Sequence, residues 1–291
     1  MPPDVARSAA LALAVVSVAA LACSDGGKGD SQPAVLGSLR GSAHSLAELN
    51  DRTRTVAAPQ PTDVLQISGV RVTWIDTFDE TGTGQVGDVF VQDLFAPDET
   101  FGRGYEGMLL FQPGYSPPSF RATTGDVLDL NGQYSEFQVP KQAYLDKIWR
   151  TPEMKGATIS LRLDAAGAMT SAATMPFGDM FLFQTGRRWL SMLVTVENVV
   201  VQPCTGSSCS GVFAVSGGRA SANLTDMLGT VVSKTTPDGT KPLGQPGITN
   251  ELMDITKVPL QPGQTIKRLT GLVTLFDRFH VAPRTADDIQ L

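Results

Sequence analysis

Residues 269–291 read LTGLVTLFDRFHVAPRTADDIQL, and the reading of Phe276-Asp277-Arg278-Phe279 decides the fold. If a single strand ran from Leu269 to Val281, period-two alternation would place Asp277 on the face of Leu269, Val273, Leu275 and Phe279. Burying an unpaired carboxylate there would cost several kcal/mol. A two-residue turn at Asp277-Arg278 avoids that cost, because Asp tolerates the positive φ such turns need. The sequence therefore predicts a hairpin flanked by Phe276 and Phe279. Pro283 ends the final strand, where its missing N–H is harmless.

Working outward, short β-rich runs separated by Gly, Pro, Asp and Thr clusters begin near Val64. VRVTWI (70–75), DVFVQDL (88–94), GMLLF (107–111), DVLDLNGQY (126–134) and ATISLRL (157–163) read as strands. After a looser stretch, WLSMLVTVENVVV (189–201), GVFAV (211–215), TGLVTLF (270–276) and FHVAP (279–283) resume the pattern. NLTDMLG (223–229) reads as one short helix capped by Asn223 and stopped at Gly229. The two halves echo one another, each carrying Leu-x-Gly ahead of an apolar run, so an internal duplication is expected. Mid-strand Gly132 and Gly271 would permit the tight coil of a small closed barrel.

The order GDVFVQD (87–93), GMLLF (107–111), GDVLDLNGQYSEF (125–137) resembles the OB-fold-like modules of bacterial extracellular nucleases, and related modules of cell-envelope lipoproteins. WLSMLVTVENV (189–199) and FHVAPRTADDI (279–289) look like the opening and closing of a companion module. That family often has Phe-Gly at its last hairpin, where this chain has Phe276-Asp277. The resemblance implies an all-β chain of two tandem five-stranded OB-like barrels, at 63–164 and 188–291, joined by a connection at 165–187.

The N-terminus reads as an export signal. An apolar run, AALALAVVSVAALA (9–22), follows Arg7, within the length of a signal-peptide core and short for a membrane span. Its end, Ala20-Leu21-Ala22-Cys23, resembles a bacterial lipobox, with Ala20 where a branched aliphatic residue is usual. This predicts a signal peptide over 1–22, lipid on Cys23 and a Gly/Ser-rich tether over 23–62. Ser24 after that cysteine points to the outer membrane; free secretion is the alternative. Within the tether, SLAELN (45–50) carries the capping box Ser45/Glu48 and predicts a turn or two of helix, with His44 a tether residue beside it.

Of three cysteines, lipid on Cys23 leaves Cys204 and Cys209, which enclose TGSS in an exported chain. A local disulfide at a loop tip fits that spacing. A metal site would want further soft ligands nearby, and a redox motif closer spacing.

Composition narrows the chemistry. Net charge is -6 with 42% hydrophobic residues, and there are only two histidines, His44 and His280. Metal-assisted phosphodiester hydrolysis needs clustered carboxylates and a water-activating group, and the large α/β catalytic unit of such nucleases has no counterpart here. No Gly-x-Ser-x-Gly elbow appears. A non-catalytic protein without cofactor or metal is expected. Between Gly69 and Val139 three basic residues face eleven acidic ones, a net of -8, which disfavours phosphate backbones at the first barrel.

Basic residues gather in the second module, so Arg268, Arg278, His280 and Arg284 form the candidate ligand face. The bland reading beside it is a solvated surface with Arg284 paired to Asp287 or Asp288. The acidic loop DTFDETGTGQVGD (76–88) suggests calcium but lacks EF-hand spacing, and reads better as a charged hairpin loop. Trp74, Trp149 and Trp189 read as core or module-boundary packing. The expectation is a lipid-anchored envelope module for a protein or glycan ligand, the alternative an accessory single-stranded nucleic-acid binder.

Overall fold

The computed structural model describes residues 34–36, 45–50, 63–84, 86–94, 104–137, 151–162, 171–205, 207–233 and 243–291. Cys23 with the apolar run before it, His44 and Trp149 lie outside the described residues.

Two sheets carry the fold, and each closes on itself. The first contains β1 (Ala34–Leu36), β2 (Val64–Ile75), β3 (Val89–Asp93), β4 (Gly107–Phe111), β5 (Gly114–Ser116), β6 (Val127–Phe137) and β7 (Thr151–Leu161). Its ring runs β2-β3-β4-β7-β6 and back to β2. Every ring contact is antiparallel except β4 with β7.

The second sheet contains β8 (Ala173–Thr174), β9 (Leu193–Val201), β10 (Cys209–Ser210), β11 (Phe213–Ser216), β12 (Arg219–Thr225), β13 (Gly247–Thr249), β14 (Thr265–Leu275), β15 (Phe279–Ala282) and β16 (Ile289–Gln290). Its ring runs β9-β12-β13-β15-β14 and back to β9, again with one parallel contact, β13 with β15. Both rings are therefore five-stranded barrels with the same OB connectivity. Closure leaves no ring strand with an unpaired long edge.

Alternation fills each interior. Leu65 and Ile67 of β2, Leu128, Leu130 and Tyr134 of β6, and Met154, Ala157 and Ile159 of β7 pack into the first core. Val194 and Val196 of β9, Leu269, Val273 and Leu275 of β14, and Phe279 and Val281 of β15 pack into the second. A short 3-10 and helical stretch floors the second barrel. Phe177, Met180 and Phe183 join its core, and the Phe183 ring stacks on Phe279 with centroids 6.1 Å apart. That floor comes from residues the sequence had suggested as connection.

The hairpin between β14 and β15 exists, but its loop has three residues. Leu275 pairs with Phe279, and the Phe276 N–H donates to the Arg278 carbonyl at 3.2 Å. Partners in an antiparallel pair point to the same side, so Leu275 and Phe279 can both enter the core only if an odd number of residues separates them. A two-residue turn would have paired Phe276 with Phe279 and reversed one strand. Asp277 also keeps out of the left-handed region; the non-glycine residues with positive φ among those described are Tyr105, Gln112, Ser191 and Asn198.

Two further expectations are corrected. Asn223 is no helix cap: it lies in β12, and Asp226 then turns the chain, its carboxylate accepting from the Leu228 and Thr230 N–H groups. The second barrel's second ring strand is β12, not the GVFAV run, whose residues 213–215 lie in β11, a hairpin arm outside the ring. In β12 the inward residues are the small Ala220 and Ala222 and then Leu224, an alternation that the polar outward residues and the cap-like Asn223 conceal.

Candidate functional site

The outer faces of the two barrels meet, and the meeting surface is built like a core. Phe90 of β3 packs with Leu193, Leu252, Leu272 and Ala282 of the second barrel, and Trp74 and Leu109 join from the first. Leu272 and Ala282 belong to the outward set of their hairpin, so this face is dry because another barrel covers it. Gln92, fully buried, spans the junction: its Nε2 donates to Glu106 Oε2 at 3.1 Å, and its Oε1 accepts from the Leu193 N–H at 3.1 Å. Backbones touch at Gly107, where an added Cβ would lie 2.5 Å from the Ser191 carbonyl carbon.

A short helix, α1 (Leu46–Asn50), completes the weld. Its Leu46 and Ala47 N–H groups donate to the Asp93 carboxylate, and Leu46 and Leu49 enter the first core. Asp93 thus satisfies two of the free N–H groups at the start of that helix. Asn50 Nδ2 donates to the Gly107 carbonyl, while Arg187 of the second half donates to the Asn50 carbonyl at 3.2 Å.

The acidic loop 76–88 leaves its own barrel. The Asp79 carboxylate accepts from the Thr83 and Gly84 N–H groups, which fixes the tip and holds that carboxyl below its ordinary range. Glu80 then reaches Arg219 at the start of β12, Oε1 to Nη2 3.0 Å. The loop can sit this close because Gly218 has φ of 84° and no Cβ, which would stand 2.4 Å from the Glu80 carbonyl oxygen.

Beside this crossing a cleft of about 560 Å³ opens between the barrels. Phe90, Leu109, Phe111 and Phe137 wall it from the first barrel, and Val273, Leu275 and Phe276 from the second. Polar groups are few and placed: Asp88, Glu153 with Lys155, Glu251, Thr274 and Arg219. Glu153 is 1% exposed and pairs with Lys155 at 3.0 Å. The Arg219 guanidinium lies over the Phe276 ring, 3.3 Å from its centroid. The Thr274 hydroxyl stands beside the Glu251 carboxyl without closing a well-formed hydrogen bond to it, though Thr274 is only 7% exposed.

Burial and mutual repulsion raise three of the acids at this junction, Asp76, Asp88 and Glu251. Asp76 is pushed up to about 7, chiefly by burial, with Glu80, Asp88 and Glu251 adding to the rise. Burial raises Asp88, helped by Glu153 and Glu80. Burial raises Glu251 too, against the opposing pull of Arg219.

The structure gives the four residues of the sequence-predicted face different surroundings. Arg268 is exposed on β14, its register partners Glu197 and Gln290. Arg278, on the hairpin loop, donates to Ser221 Oγ at 3.2 Å and lies 3.7 Å from Asp277. His280 is 4% exposed, and burial, with Arg278 adding, lowers its pKa to about 3, so it stays neutral. Arg284 is closed by a two-bond fork to Asp288, both bonds 2.9 Å, and lies 5.7 Å from the Trp74 ring centroid. Trp74 packs at the barrel junction, and Trp189 is buried with its Nε1 donating to Asp179. Cys204 and Cys209 form the expected disulfide. Among the described residues no group of three or more His, Cys, Asp or Glu side chains could hold a metal ion.

Sequence reading missed Asp88, Glu153, Glu251, Arg219 and Thr274 as one site. The signal that could have pointed there is the net of -8 in the first half, which calls for a basic partner such as Arg219 as much as it repels phosphate. No protein-family model matches the chain, and no curated protein matches it.

Proposed function

We propose that the chain is a non-catalytic binding protein of the cell envelope, anchored by lipid on Cys23 at the outer membrane, with its ligand seated between the barrels. The observation that carries the reading is the cleft of about 560 Å³, walled by both barrels and backed by a packed apolar junction. Its size, mostly apolar walls and few fixed polar groups suit a small molecule or one residue of a protein or glycan. Rigid walls keep the ordering cost of binding small.

The acids around the cleft oppose the alternative of single-stranded nucleic-acid binding, which draws on a basic groove with stacking aromatics. Labelled single-stranded DNA, followed by anisotropy at low and high salt, should show no low-salt binding; tight, salt-sensitive binding would favour that alternative. For the cleft itself, Leu109→Trp fills the space from one wall. Envelope glycan fragments and short peptides are screened by thermal shift on the full chain. A hit should raise Tm in wild type and not in the filled variant; equal shifts in both would place binding elsewhere. Fatty-acid labelling of wild type and Cys23→Ala tests the anchor, and equal labelling would remove it.

A further inference from the structure

We infer that the group the cleft receives is an organic ammonium on an apolar or aromatic body. This rests on the cleft being the binding site. Five carboxylates, Asp76, Glu80, Asp88, Glu153 and Glu251, act on one another around the junction, while two cations, Lys155 and Arg219, answer them. The charged groups sit on the 76–88 loop, β7, the start of β12, and Glu251 just after β13, while β3, β4, β6 and β14 supply uncharged walls through Phe90, Leu109, Phe111, Phe137, Val273 and Thr274. With all of them ionised the formal balance is five minus two; three of the five acids, Asp88, Glu153 and Glu251, line the cleft itself together with both cations.

Cavity shape and an under-used hydroxyl make this more than an acidic cluster. Phe90, Phe111, Phe137 and Phe276 line the space, and Arg219 over Phe276 already shows a cation on an aromatic face there. Thr274 Oγ1, buried on the cleft wall, has no well-formed hydrogen bond and can accept one from an ammonium. A bare divalent ion fits less well. Hard cations want six or more oxygens at about 2.0–2.6 Å, and no described acid group converges to hold one. An ammonium needs only two or three acceptors and gains from the apolar walls.

An entering cation also replaces protons. Asp76, raised to about 7, holds a proton that a bound ammonium would help release, and Asp88 and Glu251 are shifted in the same direction. Binding therefore tightens as pH rises from 5 to 8, and the heat of binding depends on the buffer's ionisation enthalpy.

The test titrates the full chain calorimetrically with phenethylamine, 2-phenylethanol and 3-phenylpropionate, in phosphate and in Tris, up to about 50 mM, because a fragment of this size binds near millimolar Kd. Nα-acetyl-lysine methylamide forms a second arm, telling a free amine from a lysine side chain by which binds tighter. The amines should bind at least about tenfold more tightly than the alcohol and release roughly half to one proton at pH 6. Glu251→Gln should weaken amine binding at pH 8 about fivefold or more while leaving binding of the alcohol unchanged. Leu109→Trp should abolish binding. If the alcohol or the acid matches the amines in wild type and loses binding in Leu109→Trp, the cleft stands and the ammonium inference falls. If no probe binds, or binding survives Leu109→Trp, both fall together.

Discussion

The two barrels share one ring and part company at the loop between their first and second ring strands. In the first barrel that loop, 76–88, is acidic, is fixed by Asp79, and crosses to pair Glu80 with Arg219. In the second, residues 202–218 fold back on themselves, closed by Cys204–Cys209 and by the pairing of β10 with β11. Ring topology fixes where the loop leaves a barrel; loop chemistry decides whether it bridges or stays. The bridging loop makes one wall of a junction, while the stapled loop stabilises its own tip.

The strongest way to break this contrast is at Gly107, where two backbones meet. Gly107→Val forces a side chain into the Ser191 backbone and should cost at least about 3 kcal/mol, lowering Tm by roughly 6–12 °C. A normal Tm would mean the barrels part at no cost. Next comes Gln92→Leu, which strands the Leu193 N–H, takes one donor from Glu106 and should cost about 1–3 kcal/mol in denaturant unfolding. Removing the disulfide by replacing both cysteines with alanine should cost about 2 kcal/mol for so short a loop, and should leave cleft binding unchanged. Loss of cleft binding in that variant would show that the two loops are not independent.

Acid titration separates the junction from the barrels. Asp76 holds its proton to about pH 7 in the native state against an ordinary 3.8. Its contribution to stability is therefore complete below about pH 4 and lost as pH rises through 7. Asp88 and Glu251 act in the same direction. His280 opposes them: lowered to about 3 from 6.5, its contribution is present above 6.5 and lost as pH falls through 3. Tm of Asp76→Asn should gain on wild type between pH 5 and 8, and parallel curves would refute the assignment. The smallest effect is the crossing pair itself. A double-mutant cycle on Glu80 and Arg219, which is 29% exposed at its side chain, should give a coupling of about 0.2–1 kcal/mol.

Much of the ring was legible because alternation and the cost of burying Asp277 are local facts. They place β2, β3, β4, β6, β9, β14 and β15, and the spacing of Cys204 and Cys209 gives the disulfide. Strand β13 was not legible, since Gly247–Thr249 is too short to carry a period. The junction was hidden for a deeper reason. Period two tells which face of a strand points out of its own barrel, and says nothing of a second barrel covering that face. Gln92, Glu153, Thr274 and His280 all read as outward polar positions, yet all are buried. Nearness in sequence likewise did not tell the state of each side chain among Arg268, Arg278, His280 and Arg284: Arg268 is exposed, His280 is buried and Arg284 is closed on Asp288.

The central claim is that the barrels form one rigid unit around a shared cleft. Native-state hydrogen exchange at the Leu193 amide tests it most directly, because that N–H donates to Gln92 Oε1 across the junction. Protection close to that of Val196 in the same strand is the predicted result. Exchange orders of magnitude faster at Leu193, with Val196 still protected, would mean that the barrels swing apart and the cleft is not a built site.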